Sequence, residues 1–190
     1  LLQICVKKEF IILDIPRIFT ISESAHRIHN PFTPEKYATL GAALRLEPGT
    51  RVLDLGSGSG EMLCTWARDY GINGTGVDMS SLFTEQARQR AEELGVAGRV
   101  RFIHDDAAGY VSDEKVGVAS CIGASWIGGG VAGTIDLLAK SLRPGGIILI
   151  GEPYWLKVPE TEKIVKGCLA QSSSDFLLLP DLLTSFGDLN

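Results

Sequence analysis

From residue 33 onward the sequence alternates between segments with apolar residues at helical spacing and short, unbroken apolar runs. That alternation leaves few folds open, because strands joined through helices run parallel and a parallel sheet is buried on both faces. Thr33 is placed to cap a helix with Pro34 at its first position. Tyr37, Leu40 and Leu44 share its inner face, and Pro48-Gly49 ends it. Residues 51–55 (RVLDL) read as a strand, after which Met62, Leu63, Trp66 and Ala67 recur at helical spacing until Gly71, with Trp66 in the core. The cycle repeats through a strand at 74–77, a helix at 81–94 stopped by Gly95, and strands at 100–103 and 116–122. A helix at 131–142 and the turn Arg143-Pro144-Gly145-Gly146 lead into a fifth strand at 147–150. Residues 158–170 and 180–186 read as helices. The expectation is one α/β domain over residues 33–190, a doubly wound, mostly parallel sheet flanked by helices. Residues 14–32 are expected to form a lid before it. The apolar run 1–13 reads either as extraneous sequence or as a fragment of something that precedes the domain.

Composition excludes several partners. With 45% hydrophobic and 22% charged residues the chain has an ordinary globular balance, which argues against disorder and fibrous repeats. Its net charge of -5, with no cluster of Lys and Arg, disfavours nucleic acid, whose phosphates must be neutralised. Cys5, Cys64, Cys121 and Cys168 lie 59, 57 and 47 residues apart, so no metal-ligand spacing is present and no metal is expected. Such isolated thiols fit a reducing compartment, and no apolar stretch reaches the roughly 18 to 20 residues of a membrane span, so a cytoplasmic protein away from membranes is expected.

In a doubly wound sheet a ligand sits beyond the C-terminal ends of the strands. Directly after the first strand comes Gly56-Ser57-Gly58-Ser59-Gly60-Glu61, opening a helix. Glycines there permit a tight turn and close approach to exposed N–H groups, although a bare strand-to-helix turn would look the same. Asp78 closes the second strand 22 residues after Gly56, the distance at which a carboxylate accepts from the hydroxyls of a ribose; its alternative is to cap the following helix. The spacing is not the dinucleotide G-x-G-x-x-G, since the sixth position is Glu61, whose carboxylate would repel a diphosphate. A ligand with a ribose and no phosphates fits better.

VLDLGSGSGE, followed by GVD, then DDA after the third strand and LRPGG before the fifth, resembles the class I S-adenosylmethionine-dependent methyltransferases over residues 33–186. The segments ESAHRIHNPFT and GEPYW are similar to those of an uncharacterised bacterial group of small-molecule methyltransferases. The resemblance implies a Rossmann-like sheet in the order 3-2-1-4-5 and S-adenosylmethionine as cofactor. It implies that Gly56, Ser57, Gly58 and Gly60 cradle the methionine part and that Asp54 holds the loop and reaches the ammonium through water. Asp78 would grip the ribose and Met79 would pack on the adenine. Asp106 would accept from the adenine amino group unless it is a solvated loop carboxylate, the Ala107 N–H would face a ring nitrogen, and Gly123 would lie near the reacting centre. The family sheet has a further antiparallel strand pair. Only 39 residues follow Gly151 and they read as loops and helices, so the pair is expected to be missing, leaving strand five as an exposed edge through which chains could associate.

On the acceptor side the candidates are Glu152, Pro153, Tyr154 and Trp155 after strand five, Ser125 and Trp126 after strand four, and His26 and His29 before the first helix. Glu152 and His29 are the catalytic candidates, with a buried anchor and polar lid residues as the alternatives. The two tryptophans either shape a pocket or belong to the core. No Asn/Asp-Pro-Pro-Tyr or Pro-Cys pattern follows strand four, which argues against adenine-N6 and cytosine-C5 methylation. The expected activity is methyl transfer to a small-molecule acceptor by in-line displacement. The alternatives are a cofactor-binding module without activity and, less favoured, an NAD-dependent oxidoreductase.

Overall fold

A computed structural model describes residues 13–168 and 170–187. The opening run with Cys5, read as extraneous sequence or a preceding fragment, lies outside them but for Leu13. Five strands, β1 (Arg51–Leu55), β2 (Asn73–Asp78), β3 (Val100–His104), β4 (Val116–Ile122) and β5 (Leu142–Gly151), form one sheet in the order β3-β2-β1-β4-β5. Every pairing is parallel, as the alternation of strand and helix requires. Among the described residues no strand pairs with the outer edge of β5, and Ile147 on that strand is 42% exposed.

Side chains alternate across each strand, so neighbours in sequence feed opposite layers. Val52 and Val118 face α2 (Pro34–Ala43), α3 (Glu61–Tyr70) and α4 (Ser81–Glu93), packing with Tyr37, Leu63, Trp66 and Ala87. Leu53, Leu55 and Ala119 face α5 (Val131–Ala139) and pack with Leu137 and Leu138. Trp66 is fully buried, and its indole N–H donates to the Tyr37 carbonyl at 2.9 Å. The ring's apolar area is therefore buried without an orphaned donor.

Caps fix the helix starts. Thr33 accepts from the Lys36 N–H ahead of Pro34, and Ser80 accepts from the Phe83 N–H. Several boundaries differ from the sequence reading. The 131–142 helix ends at Ala139, and residue 142 already pairs with Val116; β5 then bulges through Arg143 to Gly146, since Val118 pairs next with Ile147. The expected turn is thus an interruption within one long strand. The 158–170 helix shrinks to α6 (Glu162–Gly167), because Thr161 rather than Pro159 is its cap, and α7 occupies Leu179–Gly187. In the segment expected as a lid, Arg17–Glu23 forms a helix, α1, that buries none of its residues and whose start is Pro16.

Candidate functional site

The β1–α3 turn is built by backbone geometry that favours glycine. Gly56, Gly58 and Gly60 all have positive φ, at 76°, 53° and 71°. Added Cβ atoms would also collide: on Gly56 with Ala124 at 2.9 Å, and on Gly60 with the Phe102 ring at 2.6 Å. The turn is tied to β2, where the Val77 carbonyl accepts from the N–H groups of Gly56 and Ser57. Above it lies a cavity of about 180 Å³.

Of the ten expected cofactor residues, Asp54, Gly56, Ser57, Gly58, Asp78, Met79, Asp106, Ala107 and Gly123 line this cavity. Gly60 does not; it is the left-handed cap that turns the loop into α3. Asp54 is buried at the end of β1 and accepts from the Ser120 hydroxyl of β4 at 2.8 Å. Burial pushes its carboxyl up to about 7, only partly opposed by Ser120, with the Asp78 charge adding to the rise. Asp78 at the end of β2 is held by two backbone N–H groups, and the cap foreseen as its alternative role falls to Ser80 instead. One oxygen accepts from the Gly58 N–H at 2.7 Å and the other from the Ser80 N–H at 2.8 Å, so it ties the turn to the residue that caps α4. Burial raises its pKa, against the pull of those two N–H groups and of His29 and His104. Each oxygen has a further lone pair for a ligand hydroxyl. Asp106 is engaged by the Ala108 N–H at 2.8 Å, Ala107 is buried, and the Gly123 N–H donates to Gly151 at the end of β5.

Glu61 does not act as the sequence suggests. Arg90 of α4 binds it with two hydrogen bonds of 2.8 and 2.9 Å, so the carboxylate at the start of α3 is discharged inside the protein. It would not repel a diphosphate as strongly as an unpaired charge, and the case against a dinucleotide rests on the glycine spacing instead. Nothing in the sequence marks the pair, whose members lie 29 residues apart.

The acceptor-side candidates divide. His29 and Trp126 line the cavity; Glu152, Pro153, Tyr154, Trp155, Ser125 and His26 do not. Glu152 is half-buried beyond β5, with Oε1 buried and unpartnered, and burial pushes its carboxyl upward despite the nearby Ser125 hydroxyl. Trp155 is buried in a separate small cluster with Val165, Ala170 and Phe176, the core alternative for this residue. His26 pairs with Glu23 at 3.0 Å on the surface. Trp126, by contrast, is 62% exposed on a 3-10 turn (Ser125–Gly128) at the cavity mouth.

Residues the sequence did not signal complete the enclosure. Ile15, Arg27, Ile28 and Asn30 come from the segment before α2, which crosses the cavity and is fastened to the α4 side. Asp14 accepts from the Ser81 hydroxyl at 2.7 Å, and the Gln86 amide donates to the Ser24 carbonyl at 2.8 Å. Arg27 approaches Glu93 at 3.5 Å. Among the described residues no cluster of acidic, His and Cys side chains is arranged to hold a metal, and no helix is long and apolar enough to cross a membrane.

A family of methyltransferase domains matches residues 52–146, the stretch from β1 to the β5 bulge. The uncharacterised protein YjhP of Escherichia coli K12 is 71% identical over 177 residues, covering 93% of this chain and 71% of its own length. Two crystal structures described as S-adenosylmethionine-dependent methyltransferases in complex with S-adenosylhomocysteine are similar as well. The one from Geobacter sulfurreducens shares 80% identity with a TM-score of 0.91, and the one from Thiobacillus denitrificans 77% with 0.89. Each alignment covers 93% of this chain and 71% of the other.

Proposed function

This chain belongs to the class I S-adenosylmethionine-dependent methyltransferases and takes S-adenosylmethionine as its cofactor; from that premise we propose that its acceptor is a small molecule, methylated by in-line displacement in the cavity above the β1–α3 turn. The cofactor supplies a methyl group already activated on a sulfonium. The chain's part is to hold the cofactor, align a nucleophile and keep water out.

The residues present suit that cofactor. The glycines let the turn approach a ligand, Asp54 offers a buried carboxylate to an ammonium, and Asp78 has lone pairs left for ribose hydroxyls. Met79, Asp106 and Ala107 sit on the β2 and β3 side, where an adenine would lie, and Gly123 at the end of β4 would border the reacting centre. An acceptor would enter beside Trp126 and Ile28, whose apolar surfaces suit a small organic molecule. Glu152 would serve as the base should the acceptor need one. Its carboxyl, pushed up by burial, is poised to take a proton, but it must reach the acceptor from outside the cavity wall.

The observation that carries the small-molecule reading is the enclosure itself. Among the described residues Arg27 is the only Lys or Arg lining the cavity, and it already faces Glu93, so the described site offers no track of positive charge for a polymer backbone. The test is to incubate the protein with methyl-labelled cofactor and a bacterial extract separated into metabolite, protein and nucleic-acid fractions. Label is expected in the metabolite fraction and absent when Asp78→Ala protein is used. Label in protein or nucleic acid instead would overturn the reading.

A further inference from the structure

The segment over the cavity does more than cover it, because a chain of hydrogen bonds fixes the state of one of its side chains. The Ser24 carbonyl can only accept, so the Gln86 group 2.8 Å from it is the amide nitrogen. That turns Gln86 Oε1 toward Ser59, whose hydroxyl donates to it at 2.8 Å. With its proton committed there, Ser59 Oγ must accept from His29 Nε2 at 3.0 Å. The same nitrogen also faces the His26 carbonyl at 3.0 Å, which again can only accept. Nε2 therefore carries the hydrogen. Burial lowers the His29 pKa, outweighing the His26 carbonyl and the charges of Glu23 and Asp78, which favour the cation. In the neutral ring Nδ1 is then a bare acceptor.

Nδ1 has no hydrogen-bond partner among the described residues, and it sits over the glycine turn. A Cβ on Gly58 would lie 3.1 Å from it. The ring is held by more than its hydrogen bonds, since the Phe83 ring packs against it with centroids 4.0 Å apart. Gly58 gives its N–H to Asp78, so the free imidazole nitrogen and the carboxylate flank the same glycine, and both line the cavity.

We propose that His29 is a cofactor-binding residue rather than the acceptor's base: its Nδ1 accepts a hydrogen bond from a ribose hydroxyl of the cofactor, across Gly58 from Asp78. A ribose presents two hydroxyl donors, and Asp78 already spends one lone pair of each oxygen on backbone N–H groups. A second acceptor from the covering segment shares that load and couples closure of the segment to an occupied site. Ser59 and Gln86 are positioning residues, setting the tautomer through which His29 acts. The proposal rests on the cofactor and not on the identity of the acceptor.

The experiment is calorimetric titration of the whole chain with S-adenosylhomocysteine and with its analogue lacking both ribose hydroxyls, using two variants of opposite character. His29→Phe keeps a ring against Phe83 and has no acceptor; His29→Asn gives up the ring but can present its amide oxygen where Nδ1 stood. One neutral hydrogen bond is worth about 1 kcal/mol, so His29→Phe is expected to bind S-adenosylhomocysteine about five- to tenfold more weakly. His29→Asn is expected to stay within about twofold of the unaltered protein. For the analogue without hydroxyls the penalty of His29→Phe should fall below about twofold. Undiminished binding by His29→Phe, or the same loss with both ligands, would overturn the proposal. The second result would mean that His29 acts on the covering segment alone.

Discussion

The turn after β1 and the segment after β5 follow strands of the same sheet, yet they are built on different principles. In the turn almost every polar group is committed: Asp78 to two backbone N–H groups, Glu61 to Arg90, Asp54 to Ser120 and Ser59 to Gln86. The segment after β5 folds around a cluster of its own, Trp155 with Val165, Ala170 and Phe176, joined by a bridge between Trp155 and Leu178. It leaves Leu156 87% exposed, and in Glu152 it keeps a buried oxygen without a partner. A cofactor's needs are fixed, so the residues that meet them are locked by backbone and by one another. The region after β5 is under no such demand and is held by few contacts.

Asp78→Ala should break the locked side most severely. It removes the Gly58 N–H bond that holds the turn, the Ser80 N–H bond at the start of α4 and the lone pairs proposed for the ribose. With hydrogen bonds to a charged group worth about 1.5 to 3 kcal/mol each, S-adenosylhomocysteine affinity should fall about 100-fold or more in a titration. A loss of less than tenfold would mean that the turn does not depend on its carboxylate. Gly60→Ala comes next, as an effect on folding. A side chain there is both in the left-handed region and in contact with Phe102, so unfolding in urea should show a loss of about 2 to 4 kcal/mol. Gly49→Ala is the matched control. It has φ of 83° with open space around it, and should lose only about 1 to 2 kcal/mol.

Asp54 should sharpen the comparison through pH. Its carboxyl, pushed up to about 7 by burial, is ionised above that value and neutral below it. If the carboxylate answers the cofactor's ammonium, affinity should fall about tenfold between pH 8 and pH 6, the change in its ionised fraction. Stability of the cofactor-free protein should move the other way. A carboxyl whose folded pKa lies above its usual 3.8 makes folding easier as pH falls from about 7 toward that value. Asp54→Asn should flatten most of both slopes, leaving the parts owed to other shifted groups such as Asp78 and Glu152, whose pKa values are also raised. An unchanged slope in the variant would remove Asp54 from the binding scheme.

How much of this was legible in the sequence follows the same division. The strands themselves, the helix start at Thr33 and the glycine turn are local matters of period, capping and backbone freedom, and they were readable, whereas strand order came with the family resemblance and the Ser80 cap was not foreseen. The place of Asp78 at a strand end before a helix was readable too, but not its hold on the Gly58 N–H or the passing of the cap to Ser80. What was not readable was pairing at a distance. Arg90 cancels Glu61, Ser120 supports Asp54, and Gln86 sets the tautomer of His29, each across 27 to 66 residues of chain if Gln86 is reckoned from Ser59. Nothing in period or composition marks such partners. After β5 the reading failed differently. Residues 158–170 contain enough apolar residues for a longer helix, but Trp155 draws them into a local cluster and the helix keeps only six residues. Tertiary packing there outweighs local propensity.

The smallest effect on the cofactor is expected from the largest side chain of the other region. Trp155 is buried, its indole N–H donates to the Ser173 carbonyl at 2.9 Å, and its ring lies 5.1 Å from that of Phe176. Trp155→Ala should therefore open the cluster, and hydrogen exchange should quicken between residues 155 and 182, where Leu182 is the buried residue of α7. None of these residues lines the cavity. S-adenosylhomocysteine affinity should consequently stay within about twofold, because sites without shared partners contribute independently. The Gly123 N–H at the cavity donates to the Gly151 carbonyl at 2.8 Å, just before the segment begins. A tenfold loss of affinity in Trp155→Ala would mean that disorder after β5 travels back through that bond to the end of β4, and that the two regions are not separable as their contacts imply.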